Sequence, residues 1–163
     1  MPDPSPPLKP TPEQLLRTAE LFNESGALRA FGVRISFPTV ANVLLTVDPV
    51  LPQHRGGLGT DAVNGGVLAG LFDLAIGCTA LLIDPTRRSA TMQLSMSFER
   101  PVRGDRFTVE AEITSAGSKT LYSAARVLDE KGAVCARCQG LTRVSSLPWK
   151  GDPAIKSEYA GKP

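Results

Sequence analysis

The stretch NGGVLAGLFDLAIGCTALL, Asn64 to Leu82, carries a single charge, Asp73, in its middle. Its apolar residues Val67, Leu68, Leu71, Phe72, Leu74, Ile76, Leu81 and Leu82 surround the axis and leave no wet face of ordinary width. This pattern predicts a long helix at the centre of the fold. Gly66, Gly70, Asp73, Gly77 and Ala80 recur at spacings of three and four, which forms one stripe of small side chains broken by a carboxylate. Each helical Gly costs up to about 1 kcal/mol relative to Ala, so three on one stripe call for close approach by another backbone or by a ligand. If a sheet takes the bulky side, the small stripe faces a partner subunit or a substrate. Asp73 then has two readings. Either it sits in a cleft as a base or nucleophile, or it lies exposed on a loosely covered helix face or caps a neighbouring loop.

The residues just before the helix bear on that choice. Val63-Asn64-Gly65-Gly66 leaves backbone amides with little side-chain cover at the positive helix end, where they can receive negative charge developing on an oxygen. Gly65 precedes Asp73 by eight residues, about 12 Å of axial rise, so donor and carboxylate can flank one elongated cleft provided that its walls are completed from elsewhere. Upstream, Pro49 to Asp61 is a loop by composition, with Gly56, Gly57, Gly59 and the only histidine, His54. A lone histidine is either structural or a group that orients substrate. Asp61 caps or hydrogen-bonds within the loop.

Downstream the period changes from 3.6 to 2. Met92, Leu94, Met96 and Phe98 alternate with Thr91, Gln93, Ser95 and Ser97 across Ala90 to Glu99. Phe107–Ser115, Thr120–Leu128 and Ala133–Val144 are further strands, joined by turns short enough for hairpins, which implies an antiparallel sheet. On the N-terminal side, Pro12 to Arg29 has helical spacing, with Thr11 as N-cap and Gly26 near its end. Val33–Phe37 and Ala41–Val47, broken at Pro38, form one interrupted strand or a short hairpin. The class is α+β, with the helix and a curved antiparallel sheet covering each other.

The chain has 163 residues, 42% hydrophobic and 21% charged, with a net charge of +2. Residues 1–12 hold six prolines and read as a tail, as do the polar residues 148–163, which leaves 13–147 as one domain. No basic run interleaved with aromatics calls for nucleic acid. The first residues lack the pattern of a secretory leader, and no segment reads as the 18 apolar residues that would span a bilayer, so the cytoplasm is the default location. Cys78, Cys135 and Cys138 are odd in number, which argues against a disulfide scaffold. Cys135 and Cys138 form a lone C-x-x-C within a strand, where residues three apart point to opposite faces. Buried thiols are therefore the expectation over redox or metal chemistry.

The run from Asn64 to Ala75, followed by TMQLSMSFERPVRGD from Thr91 to Asp105, resembles the hotdog-fold acyl-CoA thioesterases of the phenylacetate-pathway (PaaI-like) type. The resemblance covers about residues 13 to 145. It rests on the Gly-Gly helix entry, on the Asp nine residues after Asn64, and on the Phe-x-x-Pro-x-x-Gly-Asp turn from Phe98 to Asp105. It implies a sheet wrapped around the central helix, and sites shared across the interface of a homodimer or homotetramer. It also implies hydrolysis of an acyl-CoA thioester, with no cofactor beyond the CoA of the substrate. Under it the Gly65 amide polarises the thioester carbonyl, Asp73 attacks it or activates water, and Thr91 helps to hold the nucleophile. Arg100 and Arg103, then Arg87 and Arg88, are candidates for the CoA phosphates. Two positions depart from the family: Asn64 stands where it usually has His, and Leu58 where it often has Asn. His54 is the candidate to fill that gap. The alternatives are a hotdog enoyl-CoA hydratase or dehydratase using His54, and a non-catalytic acyl-CoA or acyl-carrier binding module. Phe22, Phe31, Leu58 and Met96 line an acyl pocket or belong to the core.

Overall fold

The computed structural model describes residues 9–57 and 59–148; the expectations for residues 1–8, for Leu58 and for the tail from 149 onward lie outside these. Thr11 opens the fold by capping the first helix. Its hydroxyl accepts from the Gln14 N–H while the Gln14 side chain accepts from the Thr11 N–H, a reciprocal capping box. The helix expected over Pro12 to Arg29 is two helices, α1 (Pro12–Asn23) and α2 (Gly26–Phe31). Two local features divide it. The Ser25 hydroxyl caps the second helix at Leu28 N, so Gly26 starts a helix rather than ending one. The Asn23 side chain, in turn, bonds both backbone groups of Ile35, donating to its carbonyl at 3.0 Å and accepting from its N–H at 2.8 Å.

Of the two readings for the next segment the hairpin holds, as β1 (Arg34–Thr39) and β2 (Asn42–Val47). The central helix α3 runs Gly65–Cys78 with Asn64 as N-cap and tightens into a 3-10 turn at Thr79–Leu82. Then come β3 (Arg87–Phe98), β4 (Phe107–Ala116), β5 (Thr120–Asp129) and β6 (Val134–Pro148). All pairings are antiparallel in one six-stranded sheet of order β1-β2-β4-β5-β6-β3. The sheet curls around α3, which touches β2 through β6 and buries Leu68, Leu71, Phe72, Ala75 and Ile76 against Val43, Leu45, Val109, Val127 and Ala136. This is the hotdog architecture expected from the sequence.

Two expectations need correction. Gly65–Leu82 does reach membrane-spanning length and hydropathy, with 18 residues at a mean hydropathy of 1.8, but 56% of it is buried inside the sheet, the place of a core helix. The alternation of β3 is also broken. Its register with β6 shifts between Thr91 and Gln93. Thr91, opposite Thr142, therefore faces α3, as does Leu94, opposite Gly140, although strict alternation puts them on opposite faces.

Candidate functional site

The small stripe of α3 is filled in part by the chain itself. A Cβ on Gly70 would meet the Phe31 ring at 3.0 Å, and one on Gly77 would meet the Thr91 hydroxyl at 3.3 Å. Between these two positions Asp73 is exposed, and its carboxylate has no hydrogen-bond or ion-pair partner among the described residues. It borders a recess of about 350 Å³ with apolar walls from Phe22, Leu74 and Leu81 and hydroxyls from Ser89 and Thr91. Ser89 was missed by sequence reasoning. Its hydroxyl approaches the Gly77 carbonyl at 3.4 Å, a placement that depends on the register of β3.

At the helix entry Asn64 acts as a cap. Its Oδ1 accepts from Gly66 N at 2.7 Å and its carbonyl accepts from Leu68 N at 3.1 Å. Its own N–H donates to the His54 carbonyl at 2.8 Å, and the preceding Val63 N–H to the Val102 carbonyl at 2.9 Å. The Gly65 N–H is left without an acceptor among the described hydrogen bonds, on an exposed residue at the positive end of the helix. A Cβ on Gly65 would come no closer than 3.9 Å to the Phe98 ring, so space within the chain does not demand glycine there.

His54 does not occupy the gap beside Asn64. It is 2% exposed, and both ring nitrogens are used by backbone. Nδ1 accepts from Leu51 N at 2.9 Å, so Nε2 carries the proton and donates to the Phe31 carbonyl at 2.7 Å. A ring committed on both sides has no free nitrogen for a substrate proton, and it does not border the Asp73 recess.

The four arginines are placed differently from one another. Arg87 is half-buried and pairs through Nε with the buried Asp84 at 2.9 Å, holding the turn into β3. Arg103 pairs with Asp61 at 3.0 Å on the surface, and the Asp61 carbonyl accepts from Arg55, so Asp61 serves its loop. The exposed Arg100 has no ion-pair partner among the described residues. Arg88 borders a second recess, of about 400 Å³, together with Lys119 and Arg143. This recess shares Ser89 and Ala90 with the one at Asp73. Lys119 and Arg143 escaped sequence reasoning because only strand pairing joins them, through Arg143 opposite both Ala90 and Thr120. On the outer face of the sheet a further recess is edged by Glu110, Arg126 and Arg137, whose charges are already paired, Arg126 with Glu110 at 2.8 Å and Arg137 with Glu99 at 3.1 Å.

The thioesterase superfamily matches residues 61–136, which span the helix entry, Asp73 and Thr91. Among solved structures, a Shewanella oneidensis protein related to the thioesterase superfamily is similar at 23% identity and a TM-score of 0.72, over 82% of this chain and 96% of that one. A thioesterase from Haemophilus influenzae is similar at 18% identity and a TM-score of 0.70, over 86% and 94%. The PaaI protein of the E. coli phenylacetic acid degradation operon is similar at 18% identity and a TM-score of 0.67, over 80% and 96%. No curated protein matches the sequence. The family match covers residues 61–136 of the 163, and the solved structures share the fold of this chain.

Proposed function

We propose that the chain is an acyl-CoA thioester hydrolase of PaaI-like type, acting as a dimer or higher assembly. The observation that carries this reading is the unpartnered Asp73 carboxylate at the mouth of an apolar recess. In the proposed reaction Asp73 attacks the thioester carbon, or takes a proton from a water that does. The Thr91 hydroxyl orients it, and the oxyanion is received by the Gly65 amide. If Asp73 attacks, the thiolate leaves and water then hydrolyses the acyl–Asp73 anhydride; if Asp73 acts as base, the water adds directly and the thiolate leaves from the tetrahedral adduct; either way the products are the free acid and the CoA thiol. A thiolate leaves readily, so no strong general acid is required.

Gly65 and Asp73 of one chain are about 12 Å apart along the axis, whereas a nucleophile and an oxyanion donor must both lie within about 3 Å of one reacting group. The Gly65 of one copy is therefore assigned to serve the Asp73 of another. The exposed flank of α3 and the outer edge of β3, with Met92, Met96 and Phe98 exposed, are the surfaces that a second copy would cover. The recess of Arg88, Lys119 and Arg143 suits the phosphates at the far end of a pantetheine arm, and Arg88 replaces Arg87 and Arg103 as the favoured arginine. The hydratase alternative needed His54, whose ring is committed to backbone.

The test is CoA release from aromatic, short and medium acyl-CoAs. Asp73→Asn should lower turnover about a hundredfold or more while leaving the oligomer intact. Hydrolysis by Asp73→Asn at the parental rate would falsify the mechanism. Tight acyl-CoA binding by the parent without turnover would select the binding module instead.

A further inference from the structure

We propose that His54 is a positioning residue, one that fixes the place of the Gly65 amide by pinning the base of the loop before α3. The inference rests on the reading of Gly65 as the oxyanion donor and deepens it.

The loop from His54 to Asn64 folds back on itself as a short ladder. Arg55 bridges Val63, Gly56 N donates to the Ala62 carbonyl at 2.7 Å, and Asn64 N donates to the His54 carbonyl at 2.8 Å. The last rung lies one residue before Gly65, so the plane of the Asn64–Gly65 peptide follows the position of the His54 backbone. The His54 ring sets that position from two directions. Nδ1 accepts from Leu51 N, closing a small turn in which His54 N also donates to the Leu51 carbonyl at 2.9 Å. Nε2–H donates to the Phe31 carbonyl at the end of α2. The fit is close. Gly32, at φ 61°, leaves room for the ring, since a Cβ there would sit 3.1 Å from Cε1 and Nε2. The same bond to Phe31 anchors the residue whose ring covers Gly70, beside Asp73. One buried imidazole thus connects the α2 terminus, the loop and the helix entry. Two hydrogen bonds from a buried ring restrict it far more than apolar packing of the same volume.

The experiment compares the full chain with His54→Ala, His54→Asn and His54→Gln. Asn offers an oxygen near the place of Nδ1, for Leu51; Gln reaches further, with an N–H near the place of Nε2, for Phe31. Two readouts are taken: the backbone amide resonance of Gly65 with its hydrogen-exchange rate, and steady-state release of CoA. The expected result is that His54→Ala moves the Gly65 resonance, speeds its exchange and lowers kcat about tenfold or more with KM within about twofold, because an oxyanion donor acts mainly in the transition state. Asn and Gln should each recover part of kcat. If His54→Ala does not fold, the shifted Gly65 resonance and reduced kcat of the other two carry the test. An unmoved Gly65 resonance in the folded variants, or an unchanged kcat beside an active parent, overturns the proposal. A parent inactive on every thioester, with Gly65 still displaced on substitution, supports the positioning and overturns the hydrolase reading alone.

Discussion

Asp73 is felt by side chains buried behind its helix face. The Cys78 thiol is pushed up to about 12 by burial first and by the Asp73 charge second. Cys138 is pushed up to about 11 by burial, with a hydrogen bond donated by the Ser95 backbone opposing the rise and Asp73 adding to it. Cys135 is raised as well, burial leading. All three are free and buried, so the folded protein should resist iodoacetamide at neutral pH and react once unfolded in urea; alkylation of the native protein at the unfolded rate would contradict this. The sign of the linkage follows. An unfolded Cys78 ionises near 9.0 and the folded one near 12, so its contribution is fully present below 9.0 and is lost as the pH rises from there toward 12. At this scale the sequence was readable where a residue broke its surroundings. Asp73 stands out as a charge on an apolar helix, whereas His54 has no periodic partners, and the carbonyl it holds, that of Phe31, is 23 residues away.

Elements meet most closely at Gly140 of β6. A Cβ there would lie 2.5 Å from Ile76 Cγ2 on α3 and 3.0 Å from Leu94 Cδ2 on β3. Ile76 is fully buried and has little space to retreat, so Gly140→Ala should cost about 1–3 kcal/mol, read as a lower urea midpoint at unchanged slope. An unchanged midpoint would mean that the helix moves away from the sheet more freely than its packing suggests. Just beyond this contact α3 tightens. The Thr79 hydroxyl donates to the Ile76 carbonyl at 2.6 Å and meets the Ser123 hydroxyl at 2.8 Å, so the helix end is satisfied inside the core. The strands were legible because alternation and turn residues coincide. The register shift in β3 was not, because it arises from pairing with β6, and it turns Thr91 toward α3, where it borders the same recess as Asp73. The break between α1 and α2 was similarly hidden, since Ser25 reads as a cap only once Asn23 is seen bonded to β1.

For the molecule as a whole, the proposed mechanism divides the reaction centre into two halves that do not face each other within one chain, so assembly and activity should rise and fall together. Phe98→Glu places a charge beside the Gly65 entry and on the edge that a second copy would cover. Light scattering should then show a shift from a multiple of 17.3 kDa toward 17.3 kDa, with a parallel loss of CoA release. A fully active monomer would sink the shared-site reading. The sheet arrangement was visible in outline from the resemblance, but the cationic recess was not, because Arg88, Lys119 and Arg143 converge only after β3, β5 and β6 are laid side by side. The open edge of β3 has a further consequence. From Ser89 to Phe98 it runs ten residues without a charge, a proline or a lysine, and only the shift near Met92 interrupts it. Such an edge is a template for strand addition by any unfolded chain. Pairing with its own kind would then also shield the protein from aggregation, and dilution would expose it to that risk.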